Sequence, residues 1–231
     1  MSLLQGWFFV QTAAINPEAQ TAEFKDEVMG RLIRFVSSHE VGHTLGLPHN
    51  MGSSSAYPVD SLRSATFTKK NSTAPSIMDY ARFNYIAQPG DKDVAMMPNI
   101  GVYDKYAMNW GYRPLLDAKT AEDEKTILDS WILAHAGDPL YRFGKQQRSV
   151  IDPSSQTEDL GDNAIKASAY GISNLKRIVP NLINWTAEKG KNYDDLGTMY
   201  GHVVSQYNRY MGHVSSNIGG VHENFKTYDQ V

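Results

Sequence analysis

The chain has 231 residues, 41% hydrophobic and 20% charged, a globular composition that argues against extended disorder. Its 22 Lys+Arg and 25 Asp+Glu leave a formal charge of -3, with no signature of nucleic-acid or anionic-membrane binding, and no apolar run reaches the roughly 18 residues a bilayer span needs. Cysteine is absent, which removes disulfides, thiol nucleophiles, Cys-rich zinc sites and iron–sulfur clusters, and leaves seven histidines and the carboxylates for metal or acid–base chemistry.

The opening twenty residues have no basic segment ahead of an apolar one and do not read as a signal peptide. With an abrupt start and an uncapped end at Val231, the sequence reads as a piece of a longer protein. Residues 8–13 predict a short strand, broken at Asn16-Pro17. From Thr21, the residues Phe24, Val28, Leu32, Phe35 and Val36 recur mostly three and four apart. That pattern predicts a helix through Leu45, stopped by Gly46 with Pro48 beyond. Residues 51–75, rich in Ser, Thr, Asn and Pro, predict a long irregular loop, a kind usually functional or clamped.

Residues 104–110 and 120–136 predict helices, the second with Ile127, Leu128, Trp131 and Ile132 on one side. A turn-rich connector over 152–162 leads to a helix over 164–187, bent or split at Pro180. A helix over 196–211 carries Met199, Val203, Tyr207 and Tyr210 along one stripe, and residues 219–228 predict a short strand. The expected fold class is mainly α (α+β). Residues 1–114 are expected to form one subdomain and residues 115–231 a helical extension packed on it.

The chemistry concentrates in His39-Glu40-Val41-Gly42-His43-Thr44-Leu45-Gly46-Leu47-Pro48-His49. His39 and His43, four apart on a helix, leave the same face one turn apart and can reach one metal at about 2.0–2.1 Å. Gly46 permits a sharp turn that brings His49 round as a third ligand. Three histidines leave the fourth position of a tetrahedral Zn2+ open to water, the arrangement of a catalytic site. Glu40, beside the first ligand, is placed to take a proton from zinc-bound water and pass it to a leaving amine. A bare HExxH is a weak signal, and the added glycine and third histidine sharpen it. His202 and His213 lie eleven apart, too far along a helix to share a metal, and with His135 and His222 they read as structural. The aromatic residues Trp131, Trp185, Tyr207 and Tyr210 read as helix–helix core.

The run HEVGHTLGLPH resembles the extended zinc motif of the metzincin metallopeptidases, HExxHxxGxxH. Ser76-Ile77-Met78-Asp79-Tyr80, with 28 residues between His49 and Met78, resembles the Met-turn of that clan. The resemblance implies that Met78 is an apolar floor under the imidazoles and not a ligand. Tyr80 matches the SxMxY form of the turn, which implies a hydroxyl near zinc that supports the oxyanion; packing within the turn is the other reading. Residues 102–112 resemble the helix that follows the turn, where Asp104 either hydrogen-bonds beneath the site or is a solvated first-turn carboxylate.

A fuller resemblance is to the large bacterial Met-zincins, to which residues 9–14, 106–112 and 159–162 are also similar. It implies a zinc metalloendopeptidase acting on peptide or protein substrates and exported to the periplasm, envelope or medium. It also implies a sheet ahead of the active-site helix whose edge strand binds substrate. Only 38 residues precede His39, enough for one short strand and so for a truncated cleft. The alternatives are a zinc-binding but non-proteolytic module, and a scaffold or docking role for the helices after Pro114.

Overall fold

The computed structural model describes residues 2–226. Within them lie eight α-helices: α1 (Leu3–Thr12), α2 (Asp26–Thr44), α3 (Ala65–Asn71), α4 (Val102–Tyr112), α5 (Ala121–Ala134), α6 (Ala164–Ile178), α7 (Leu182–Thr186) and α8 (Asp194–Ser215). No β-strand occurs among the described residues, so the β part of the expected α+β class is corrected to helix and coil. Residues 219–226 form no strand, and 227–228 lie outside the described residues.

The expected strand over residues 8–13 is instead the C-terminal part of α1. A capping box decides it: Ser2 Oγ accepts from the Gln5 amide, and Gln5 Oε1 accepts from the Ser2 amide at 2.8 Å. The consecutive apolar residues Phe8, Phe9 and Val10 are all buried, so the run has no alternation with which to declare a strand. α1 packs on α6 and α8, which also pack on each other. Phe9 meets Trp185 edge-on, and Phe8 meets Phe24 and Phe83 in the same way.

α2 starts at Asp26, later than expected, because Thr21 and Glu23 bond to each other and hold residues 21–25 outside the helix. Asp26 and Glu27 then place negative charge in the first turn, where the helix dipole favours it. Val28 and Leu32 face the core, while Ile33, Val41 and Leu45 stay exposed. The expected break at Pro180 is present as a 3-10 turn, Val179–Asn181, between α6 and α7. On α8 the buried stripe is Met199, Val203, Gln206, Tyr210 and His213; Tyr207 faces outward. α5 buries none of its residues, and Ile132 is exposed.

Residues 51–75 are more ordered than expected, with 3-10 turns at Ser54–Ala56 and Ser61–Arg63 and the short helix α3, capped by Ser64. The core then passes through irregular backbone: Ile77, Met78, Ala81, Phe83, Tyr85, Ile86 and Ala87 are buried without belonging to any helix. Buried amides and carbonyls must still find partners. Side-chain amides provide them: Gln11 accepts from Phe83 N, Asn84 donates to Leu62 O and Ala95 O, and Asn174 donates to Tyr85 O and Ala87 O. One hydrophobic cluster therefore joins Phe8, Leu32, Phe83 and Tyr85 to Leu175, Met199 and Tyr210, on both sides of residue 114. Among the described residues no helix is long and apolar enough to cross a membrane.

Candidate metal centre

The last turns of α2 and the loop beyond it build the site. Gly46, at φ +85°, ends the helix: its amide donates to His43 O and the Leu47 amide reaches back to Gly42 O. This pair of bonds is a Schellman motif, which a residue with a β-carbon would form at a cost. The reversal delivers Leu47 O to His43 Nδ1 at 2.9 Å and carries the chain round to His49. His39, almost fully buried, points Nδ1 at Ile77 O, 2.7 Å away. The ring of His49 has its own acceptor, Gln146 Oε1, at 2.9 Å.

With each Nδ1 facing a carbonyl oxygen, each neutral ring carries its proton there and leaves Nε2 as a bare lone pair. Those three atoms converge: His49 Nε2 is 3.1 Å from His43 Nε2 and 3.2 Å from His39 Nε2. Three lone pairs this close repel one another unless a cation sits among them. Two nitrogens bound to one tetrahedral zinc at about 2.0–2.1 Å would stand roughly 3.3 Å apart, so the donor set fits that ion in type and spacing. Among the described residues this is the one group of three or more His, Cys, Asp or Glu side chains able to share a metal. Burial is the main influence lowering the His39 pKa, and the Ile77 hydrogen bond opposes it.

Beneath the histidines lies the turn of residues 76–80. Met78 is fully buried, with its sulfur against Gly42, where any β-carbon would overlap it. Asp104, in the first turn of α4, is buried and accepts from Ser76 Oγ at 2.5 Å, Ile77 N at 2.8 Å and Gly101 N at 2.7 Å. It is therefore not a solvated helix-end carboxylate. It ties the turn that offers Ile77 O to His39. The ring of Tyr80 lies 4.4 Å from that of His49 and stacks on that of His39 at 5.2 Å. Burial, and after it the nearby charge of Glu40, raises the Tyr80 pKa. Glu40 is itself exposed on α2.

Two supports have no signal in the sequence motif. Arg82 stacks over Trp7, approaches Tyr80, and ion-pairs with the buried Glu158, which also meets Arg209 of α8. Gln146 comes from 97 residues beyond His49. Neither belongs to a local pattern, so only the folded chain brings them in. The other histidines stay apart from the triad: His213 is buried with Nε2 on Thr157 O, and His135 stacks on Tyr141. A family model described as Met-zincin matches residues 21–231 of the chain. No curated protein and no solved structure matches it.

Proposed function

The chain belongs to the Met-zincin family, and from that premise we propose that it is a zinc-dependent metalloendopeptidase hydrolysing peptide bonds in peptide or protein substrates. One observation carries the reading: three Nε2 lone pairs converge at 3.1–3.2 Å while every Nδ1 is held by a carbonyl oxygen. His39, His43 and His49 would hold the ion. Zinc in that place supplies Lewis acidity toward a carbonyl and makes water nucleophilic at neutral pH.

The remaining roles fall to side chains. Glu40 lies one residue from His39 on the open side of α2, where its carboxylate takes the proton of the attacking water and returns it to the departing amine. The Tyr80 hydroxyl, kept protonated by burial and by the charge of Glu40, donates a hydrogen bond to the carbonyl oxygen as negative charge develops on it. In this reading residues 76–80 are the Met-turn, and Met78 gives the imidazoles a dry, unreactive floor. Work outside the cytoplasm, which the family resemblance implies, belongs to the same reading.

Metal analysis followed by peptide cleavage tests it. The purified chain should take up one zinc, and a chelator should abolish cleavage. Glu40→Ala should keep the zinc and lose about 10²–10⁴-fold in turnover. Zinc uptake with no Glu40-dependent cleavage would leave a metal-binding module. No uptake at all would sink the reading.

A further inference from the structure

Residues 142–147 pass beside the third histidine as a strap, and we propose that Gln146 on this strap is the positioning residue of His49, fixing the ring's tautomer and so the triad's affinity for zinc. The inference rests on His39, His43 and His49 being the zinc ligands. His39 and His43 are oriented by backbone carbonyls that come with the fold, Ile77 O and Leu47 O. For His49 the acceptor is a side chain, Gln146 Oε1 at 2.9 Å. Without an acceptor at Nδ1, a neutral imidazole is free to carry its proton on Nε2. In His49 that proton would point at the Nε2 atoms of the other two rings and occupy the metal's place.

A side chain can set a tautomer only if its backbone is held, and the strap is clamped on both sides of Gln146. Asn50, next to His49, donates to Arg142 O and accepts from Gly144 N, both at 2.9 Å, and Gly52 N donates to Gly144 O. Beyond Gln146, Gln147 Oε1 accepts from Ile151 N and Asp152 N, and its Nε2 donates to Asp152 O and Ser155 O. The Arg142 guanidinium binds Asp152 at 2.7 Å. Gln146 itself is exposed, so its removal opens no cavity, and its side chain can be changed without disturbing packing.

The test measures zinc affinity of the whole chain by competition with a chromogenic chelator, beside thermal melting of the metal-free protein. Gln146→Ala should weaken zinc binding about 10–100-fold and leave the metal-free melting unchanged. Gln146→Glu, which presents an oxygen to the same N–H, should return affinity to within roughly threefold of wild type or better. If wild type binds zinc and Gln146→Ala binds it equally well, the positioning role is wrong while the ligand assignment stands. If Gln146→Glu fails to restore what Gln146→Ala loses, the effect belongs to the strap as a whole and the role is equally overturned. If wild type binds no zinc, it is the ligand assignment that falls.

Discussion

Asp104 serves three donors with one buried carboxylate, and two of the three belong to the turn under the histidines. An amide in its place has a single acceptor oxygen and an NH2 group facing donors. Asp104→Asn should therefore cost about 2–4 kcal/mol, read as a lower urea midpoint, and should weaken zinc binding because Ile77 O orients His39. A midpoint within about 0.5 kcal/mol of wild type would show that the turn holds itself. The triad was legible from spacing alone, since a helix and a stop at Gly46 dictate where three imidazoles go. For Asp104 the sequence left two readings open, because a carboxylate in the first turn of a helix looks the same whether it faces water or a buried turn. Arg82 and Gln146 were not legible, for their partners depend on chain packing and on no local pattern.

At the scale of elements, the unusual part is the buried coil that follows the turn. Its carbonyls at Tyr85 and Ala87 lie deep in the core and take their donors from Asn174 on α6, 89 and 87 residues away. Asn174 also accepts from Gln88 and Arg177, so one amide joins the coil to the helix. Asn174→Ala should leave the buried Tyr85 carbonyl unpaired and Ala87 O with Gln88 Nε2 as its remaining donor, and cost about 1–3 kcal/mol by urea unfolding, with hydrogen exchange accelerated first in residues 83–88. Retained stability and protection would mean that other donors replace it. The helices with clear periodicity, α2, α4, α5, α6 and α8, were readable to within a few residues. At α1 three adjacent buried apolar residues suit a strand as well as a helix, and only the Ser2/Gln5 capping box separates the two. α3 has no signature in the sequence, because seven residues inside a Ser/Thr-rich stretch are too few to show a period.

Buried titrating groups, Asp159 and His213 among them, shape how the whole molecule responds to pH. Burial pushes the Asp159 carboxyl up to about 8, with the charge of Asp152 adding to it, from an ordinary 3.8. Between those limits the native chain keeps a proton that the unfolded chain has released, so stability falls as pH rises toward 8. His213 works in the opposite sense. Burial pushes it down to about 4 from 6.5, so stability rises with pH across that lower window. The His213 slope opposes that of Asp159 up to about 6.5; above it the Asp159 slope acts together with that of Asp79, whose carboxyl burial and the charge of Asp159 also push up. The urea midpoint should accordingly drop between pH 6.5 and 8, and Asp159→Asn should make that drop shallower by up to about 1.4 kcal/mol per pH unit. An unchanged slope in the variant would place the titration elsewhere. None of this was visible in the sequence, where Asp159 stands in a turn-rich connector; the segment over 54–59 buries it, through Ser54 O to Gly161 N and Tyr57 O to Asp162 N.

The seat of α1 between α6 and α8 also dictates an order of events during synthesis. Phe8 and Phe9 leave the ribosome about 200 residues before Tyr210, which at roughly 5–20 residues per second is on the order of ten to forty seconds. Through that interval α1 has Phe24 and Phe83 as early partners but lacks the α6 and α8 side chains that complete the burial of its apolar side. α1 is thus made well before α6 and α8 can seat it, and until they emerge nascent chains present its apolar side to whatever holdase or membrane surface they meet.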